Sequence, residues 1–271
     1  MVIVNQFWYS LDDSNTLPEF ALEMMEHNKK KVDIHLWTYQ KLKNVPSGVK
    51  MRNASEIVPY SFFKEKVLKY TKKKWENQQK AERCIVVSFS DYFRNKLLYK
   101  DGGWWIDTDV LLLKPLPSKQ VDIASLPRIM KGLYRRQKDT FKTKRLFEAD
   151  INTSVLKWDK ENEILKEYID FMEDFYEKQD DISVKRLFKC VYFIKNLQLI
   201  LIKNNKESYV SPPIIYNPMA AWAPTKMGEV SFGYRIPSAE EIKRHSITLS
   251  FSGEGLKKDW RNILDKININ L

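Results

Sequence analysis

The sequence predicts an α/β fold with a central, mostly parallel sheet flanked by helices, and three observations support this prediction. Strand patterns alternate with helical patterns as far as the glycine pair Gly102–Gly103. Strongly periodic helical segments then add helices to the C-terminal half. The 271 residues are 43% hydrophobic and 13% aromatic, which is enough for a large ordered core. We therefore expect a single domain over residues 1–271.

The elements of the first half follow from local patterns. The apolar, β-branched run Val2–Tyr9 predicts a first strand, and Pro18 marks the start of a helix over Leu17–Asn28. The alternation in Val32–Tyr39 predicts a second strand. The other elements expected in this half are helices at 60–70 and 75–82, a short buried strand at 84–89, and a helix at 90–99 with Ser90 as its N-cap.

The second half begins with a predicted strand through Leu113, and Ile151–Trp158 is the next one. Helices are predicted near Glu161–Glu177 and Ile182–Lys203, where apolar residues recur at helical spacing. From Tyr209 onward, frequent Pro and Gly residues indicate loops and short strands.

Charge and cysteine usage limit the possible partners and the cellular compartment of the protein. The net charge of +11 favours anionic partners, and a lysine-rich solvated surface without a specific partner is an equal alternative. The charge is densest in the segment 128–145, which predicts a mobile basic loop or an exposed helix near an anionic ligand. Cys84 and Cys190 lie in separate apolar runs, so we expect buried, reduced thiols. We find neither a signal peptide nor an apolar run of about 20 residues that could span a membrane. We therefore expect a cytoplasmic protein, with peripheral association at the inner face of a membrane through Lys and Arg.

The strongest chemical signal is the pair Asp107 and Asp109, which lies between the apolar runs 104–106 and 110–113. Carboxylates are costly to bury unless a positive charge accompanies them. In an extended segment, residues two apart project to the same side, so the two carboxylates can converge on one ion. Oxygen ligands suit hard cations. The pair therefore predicts a Mn²⁺ or Mg²⁺ site that holds a diphosphate, although an Asp-X-Asp triplet without such flanks is a weak signal.

Two features precede the acidic pair. Gly102 and Gly103 permit positive φ or close backbone approach, and they also suit the C-cap of the preceding helix. Asp91 and Arg94 are three residues apart and share one face of that helix. They form either an internal ion pair or contacts with a sugar hydroxyl and a phosphate.

The segment Ser90–Val110 closely resembles the DXD sugar-binding region of glycosyltransferase family 32 and the catalytic domain of large glucosylating toxins. The family also contains yeast-type initiating mannosyltransferases and bacterial capsule and lipooligosaccharide transferases. The residues that match its pattern are Ser90, Asp91, Arg94, Gly102, Gly103, Trp105, Asp107 and Asp109. The resemblance implies a GT-A type nucleotide-sugar-binding fold, with residues 1–117 as the nucleotide-sugar-binding half and 118–271 as the acceptor-side half.

Further segments extend the resemblance. V-N-Q-F-W at 4–8 is similar to the family's I-H-Q-I-W strand end, with Asn5 in place of the usual His. This similarity implies that Gln6 and Trp8 line the nucleotide pocket, whereas the residues alone favour Trp8 as a core side chain. D-I-N-T-S at 150–154 resembles the strand near the donor sugar, with Asn152 as the best candidate. The implied donor-binding residues are Gln6, Trp8, Asp91, Arg94, Gly103, Trp105, Thr108, Asn152, Lys257 and Trp260, and the implied catalytic residues are Asp107, Asp109 and Arg94.

The C-terminal region departs from the family pattern. Related metal-dependent transferases often place a His in an H-F-x-G or H-x-W motif, whereas this chain has S-F-S-G from position 250. We expect Ser250 to complete the metal shell formed with the acidic pair. Ser252, a water molecule, or His245 from five residues upstream are alternatives, and a simple turn without metal contact is another.

The resemblance implies a retaining, metal-dependent hexosyl transfer from a UDP- or GDP-linked sugar to a glycan or lipid-linked glycan, as in polysaccharide or capsule biosynthesis. The motif contains no evident nucleophile, so we expect front-face attack without a covalent intermediate. The metal, together with Lys257, Lys258 or the basic segment 128–145, would stabilise the leaving diphosphate. A protein acceptor, as in the toxins, is an open alternative.

Two other functions fit single features of the sequence. A Mg²⁺-dependent phosphatase or phosphotransferase of the haloacid dehalogenase type also uses strand-D-x-D, but Leu111 stands where that class has Thr or Val. A basic nucleic-acid-binding protein fits the charge of +11, but it leaves the acidic pair unexplained because carboxylates repel phosphates. We therefore expect no nucleic acid among the partners.

Overall fold

A six-stranded sheet forms the centre of the protein in the computed structural model. The model describes residues 1–12, 14–127, 149–188, 192–217, 230–231, 234–235, 237–251, 260–265 and 268. The strands are β1 (Ile3–Phe7), β2 (Asp33–Thr38), β3 (Lys50–Asn53), β4 (Gly103–Ile106), β5 (Val110–Leu112), β6 (Asp122–Pro127), β7 (Ala149–Trp158), β8 (Val230–Ser231), β9 (Tyr234–Arg235) and β10 (Thr248–Ser250). The central sheet has the order β3-β2-β1-β4-β7-β6.

Strand direction in the central sheet is mostly parallel. β1 pairs in parallel with β2 and β4, and β2 pairs in parallel with β3. β7 runs antiparallel to both β4 and β6, so it is the reversed strand of the six. The carboxyl ends of β1 and β4 therefore lie side by side at one edge, where α/β sheets usually bind ligands. This topology confirms the predicted α/β class with a mostly parallel sheet.

Helices cover both faces of the sheet. They are α1 (Glu19–Asn28), α2 (Tyr60–Phe63), α3 (Lys69–Thr71), α4 (Gln78–Asp101), α5 (Glu163–Glu177), α6 (Asp181–Leu187), α7 (Tyr192–Lys203), α8 (Pro213–Tyr216) and α9 (Ala239–His245). A π-helical turn, Lys64–Leu68, joins α2 to α3, the 3₁₀ turns are Ala54–Glu56 and Glu207–Tyr209, and residues 260–265 are helical. None of the described helices is both long enough and apolar enough to cross a membrane.

The pleat of β4 separates two parts of the core. Trp105 packs with the aromatic cluster under α4, α5 and α7, whereas Trp104 and Ile106 pack with the cluster on the α1 side. A third cluster, here called the outer cluster, includes Leu111 of β5 and Leu249 of β10. The strand that leads into the acidic pair is therefore buried from both faces.

The predicted strand at 84–89 is wrong, because these residues belong to the 24-residue helix α4. The cap of that helix is Asn77, whose side chain accepts from the Lys80 N–H, so Ser90 lies inside the helix and is not its N-cap. A buried stripe on α4, one residue in every four, accounts for the apolar run and consists of Ala81, Ile85, Phe89 and Phe93.

Other elements also differ from expectation. The helix predicted over Ile182–Lys203 divides into α6 and α7, while β3, β6 and α9 were missed. Cys84 is disulfide-bonded, so the expected free thiol is wrong there and the argument from cysteines for a reducing compartment no longer holds. The sequence contains one other cysteine, Cys190, which lies outside the described residues together with the basic segment 128–145.

Candidate functional site

The acidic pair lies in a tight turn between β4 and β5. The Val110 N–H donates to the carbonyl of Asp107 at 3.1 Å, which makes residues 107–110 a β-turn. The expected extended segment is therefore wrong, and the turn is what brings the two aspartates close together. The Asp107 N–H donates to Ser154 O of β7, and the Phe251 N–H, just after β10, donates to Asp109 O, both at 2.8 Å. Two strands thus hold the turn from opposite sides.

The Asp107 carboxylate is oriented through one of its oxygens. Oδ1 accepts from Trp105 Nε1 at 2.7 Å and is 3.2 Å from Arg94 Nη1. Within the described part of the chain, Oδ2 has no recorded hydrogen bond or ion pair, and the side chain is 30% exposed. Burial raises the pKa of Asp107 to about 6, and repulsion from Asp109 adds to this, while Arg94 opposes it. A cation bound at this carboxylate would relieve the same electrostatic penalty.

Arg94 is almost fully buried, at 3% exposure, and its donors are engaged by the protein. Nε donates to Ser90 O at 3.2 Å, Nη2 donates to Ser90 Oγ at 3.3 Å, and Nη1 donates to Thr153 O. Its guanidinium also lies over the Trp105 ring, 5.0 Å from the centroid. Arg94 therefore connects α4 with β7 and with the acidic turn.

Asp91 is the second carboxylate paired with Arg94. Its Oδ1 lies 3.4 Å from Arg94 Nη2 and accepts from Thr153 Oγ1 at 3.0 Å. Asp91 is only 3% exposed, and this burial raises the pKa of its carboxyl against the opposing effect of Arg94. Of the two roles predicted for Asp91 and Arg94, the internal ion pair is the one that the structure contains.

The end of β1 brings two unsatisfied polar atoms to the same edge. Gln6 is fully buried, and its Nε2 donates to the Asp107 carbonyl at 3.4 Å. Gln6 Oε1 and Trp8 Nε1 are buried and find no hydrogen-bond partner among the residues that the structure describes. An unsatisfied buried polar group costs about 1–3 kcal/mol, so each is suited to a ligand that supplies the missing partner. Asn5, in contrast, is structural: it bonds to Trp104 O and to Trp37 Nε1.

The predicted third ligand lies on the strand beside the acidic turn. Ser250 pairs with Val110 in the antiparallel β5–β10 ladder and is buried. His245 ends α9, next to Arg244, whose carbonyl accepts from Lys114 Nζ beyond the far end of β5. The alternative in which His245 completes the metal shell stays a prediction, as does the role of Ser250. Ser252 lies outside the described residues.

The glycine pair adopts positive φ, as predicted. Gly102 has φ of +68° and ends α4, and a Cβ there would approach Lys160 N to 2.9 Å. Gly103 has φ of +94° and opens β4, with open space where a Cβ would be. A glycine at position 102 thus allows the close approach of Lys160, whereas a glycine at position 103 is favoured by its positive φ at the start of β4.

The remaining predicted site residues differ in their burial and in their packing partners. Thr108 is half-buried in the acidic turn. Asn152 is half-buried on β7, and its Oδ1 accepts from the Ser154 N–H at 2.7 Å. Trp260 is 8% exposed and packs on Phe20 in the outer cluster. Lys257 lies outside the described residues.

The sequence interpretation missed Thr153, which contacts both Asp91 and Arg94. It lies in the D-I-N-T-S segment quoted for Asn152, but nothing in the spacing distinguishes the two. Trp105, which is predicted to bind the nucleotide-sugar donor, is buried, and its indole N–H donates to Asp107 Oδ1.

Within the described residues, no three His, Cys, Asp or Glu side chains gather as a complete metal site. Asp107 and Asp109 would therefore supply two carboxylates to a divalent cation, and its other positions would be open to further oxygen ligands, including water and phosphate. Mg²⁺ and Mn²⁺ commonly bind in this way, so the donor set fits such an ion.

Comparisons with known proteins find one family model and several solved structures that are similar to this chain. Residues 17–126 match the family described as a glycosyltransferase sugar-binding region containing a DXD motif. A solved structure described as PaToxG glycosyltransferase is 13% identical, with a TM-score of 0.38, and the similarity covers 76% of this chain and 77% of that chain. A transferase with two Cys-to-Ser substitutions is 12% identical, with a TM-score of 0.37 and coverage of 71% and 84%. No curated protein matches. The match over residues 17–126 confirms that this segment resembles a DXD-containing glycosyltransferase sugar-binding region, as the sequence predicts.

Proposed function

We propose that the protein is a metal-dependent, retaining glycosyltransferase that moves a hexose from a UDP- or GDP-linked donor to a glycan or lipid-linked glycan. One observation carries the proposal. The acidic turn of Asp107 and Asp109 lies at the carboxyl edge of the sheet, beside the unsatisfied Gln6 Oε1 and Trp8 Nε1. A diphosphate beside the turn and a nucleotide beside β1 would use both features at once.

Charge supports a divalent cation as the partner of the turn. The carboxylates of Asp91 and Asp107 share the guanidinium of Arg94, which leaves one negative charge in excess among these three groups when all are ionised. A Mn²⁺ or Mg²⁺ ion would compensate this charge. Bound there, the ion would supply Lewis-acid stabilisation of the leaving diphosphate.

The protein's own residues supply binding and orientation in this proposal. Gln6 and Trp8 hold the nucleotide, while Thr108 and Asn152 lie nearest to the sugar. Lys257 and Trp260 close the donor side in the predicted set, and Ser250 is the proposed third protein ligand.

Retention without a covalent intermediate fits the state of the nearby carboxylates. Asp91 is buried against Arg94 and Thr153, and Asp107 is held by Arg94 and Trp105. Neither is poised as a free nucleophile, so we propose front-face attack by the acceptor hydroxyl within an ion pair.

A donor screen tests the proposed function. The protein is incubated with Mn²⁺ and, in turn, UDP-glucose, UDP-galactose, UDP-N-acetylhexosamine and GDP-mannose, and nucleotide release is measured. We expect one donor class to be hydrolysed, and Asp109→Asn to abolish this and weaken Mn²⁺-dependent nucleotide binding. Asp174→Asn, at an exposed position on α5, is the matched control. A fully active Asp109→Asn variant would contradict the proposal, as would hydrolysis of generic phosphate esters in place of nucleotide sugars.

The configuration of the product tests retention separately. With an α-linked donor, we expect an α-linked product in the NMR spectrum of the purified glycan. A β-linked product would overturn the retaining mechanism and leave glycosyl transfer intact.

A further inference from the structure

We infer that Thr153 is a positioning residue that holds Asp91 and Arg94 and, through Arg94, fixes the carboxylate of Asp107. This inference deepens the proposed function, because the positioned group belongs to the acidic turn. Thr153 lies outside the matched segment 17–126, and its role follows from its contacts on β7.

Thr153 contacts both members of the buried ion pair with different atoms. Its Oγ1 donates to Asp91 Oδ1 at 3.0 Å, and its carbonyl accepts from Arg94 Nη1. The side chain is 4% exposed, so water does not readily replace either contact. The next residue, Ser154, accepts from the Asp107 N–H at 2.8 Å. Two consecutive residues of β7 therefore hold the arginine that pairs with Asp107 and the backbone of Asp107 itself.

The contacts make Asp91 and Asp107 competitors for one guanidinium. Asp107 Oδ1 lies 3.2 Å from Nη1 of Arg94, and Asp91 Oδ1 lies 3.4 Å from Nη2. The Thr153 hydroxyl gives Asp91 a closer partner at 3.0 Å. Without this hydroxyl, Arg94 is the partner that the described residues leave to the buried Asp91 carboxylate, which draws the guanidinium away from Asp107. Thr153 thereby keeps Arg94 Nη1 close to Asp107 Oδ1, the oxygen that also accepts from Trp105 Nε1.

Three substitutions separate this role from packing. Thr153→Val removes the hydroxyl at nearly constant shape, and Thr153→Ser restores it. Thr71→Val is the matched control. Thr71 is also a buried threonine, and its Oγ1 donates to Leu68 O at 3.0 Å. It lies in α3 and is not among the described residues that contact the acidic turn. Circular dichroism and the melting temperature establish that each variant is folded. If Thr153→Val does not fold, Thr153→Ala takes its place as the variant without the hydroxyl.

The first readout is the ¹⁵N–¹H NMR signal of the Trp105 indole, which donates to Asp107 Oδ1 at 2.7 Å. Trp105→Phe identifies the signal by its loss. We expect the signal to move in Thr153→Val and to keep its wild-type position in Thr153→Ser and Thr71→Val. An unmoved signal in Thr153→Val, or an equal movement in Thr153→Ser, would overturn the inference. This readout needs neither metal nor donor, so it decides the role of Thr153 even if the proposed function fails.

The second readout is the affinity for Mn²⁺ in the presence of UDP, together with kcat at saturating Mn²⁺. We expect Thr153→Val to weaken Mn²⁺ binding about tenfold, which is the effect of losing one buried hydrogen bond, while kcat stays close to wild type. Equal losses in Thr153→Val and Thr71→Val would indicate a general packing effect and refute a positioning role. A wild-type protein that binds no Mn²⁺ and hydrolyses no nucleotide sugar would instead refute the proposed function.

Discussion

Replacing Arg94 with Met provides a direct test of the buried charge network. The side chain is 3% exposed and lies between Asp91, which is equally buried, and Asp107. Met retains much of the volume and removes the charge. Because Asp91 is then left without its cation, we expect a loss of about 3–5 kcal/mol in the free energy of unfolding, the usual cost of breaking a buried ion pair from one side.

The loss in Arg94→Met has a predicted pH dependence. Burial already raises the pKa of Asp91 in the folded protein, and removing Arg94 raises it further. A folded-state pKa above the unfolded value means that the folded state binds more protons, so stability falls as the pH rises above the ordinary pKa of Asp. The difference between variant and wild type is therefore smaller at pH 5 than at pH 8.

Urea denaturation followed by circular dichroism at both pH values measures this difference. Arg186→Met, at an exposed position on α6, is the control and should change the free energy of unfolding by less than about 0.5 kcal/mol. A loss below about 1 kcal/mol in Arg94→Met that is the same at both pH values would refute the assignment of Arg94 as the counter-charge of Asp91.

Three further predictions concern the ligand side and the backbone. Gln6→Leu removes an unsatisfied buried oxygen, so equilibrium unfolding should show little loss of stability, while calorimetry should show nucleotide binding weakened at least tenfold; unchanged binding would contradict the ligand role. Because the pKa of Asp107 is raised to about 6, Mn²⁺ affinity measured by titration should fall as the pH drops below 6, and a flat profile would contradict this. Gly102→Ala should lower the stability more than Gly103→Ala. Placing an alanine at positive φ costs about 1–2 kcal/mol at either position, but only at Gly102 would the added Cβ also collide with Lys160. Equal melting temperatures of the two variants would refute this.

Much of the fold could be predicted because local pattern and tertiary structure agree in it. β1, α1, β2 and β7 lie where the apolar periodicity predicts them. The predicted strand at 84–89 failed because a short apolar run fits a buried strand and a buried helix equally well. β3 was missed because its four residues are all exposed, so no apolar pattern marks it.

The candidate site was predictable only where it is local in sequence. Asp107 and Asp109 stand out by their apolar flanks, and Asp91 and Arg94 by their helical spacing. The contacts that orient them join distant positions: Arg94 meets Thr153 across 59 residues, and Gln6 meets Asp107 across 101. Such pairs depend on the strand order β1-β4-β7, which no spacing in the sequence reveals.

The reversed direction of β7 has a consequence for how specificity could diversify. β6 ends at Pro127 and β7 begins at Ala149, and these two residues are paired at the edge of the sheet that carries the acidic turn. The two residues that bound the basic stretch therefore lie at the edge that carries the acidic turn, whereas the contacts of Asp107 and Arg94 are made by α4, β4 and β7. Under the proposed function, exchange of that stretch for another sequence would leave these contacts in place. Acceptor preference would then be free to change without a change in the residues that hold the acidic turn.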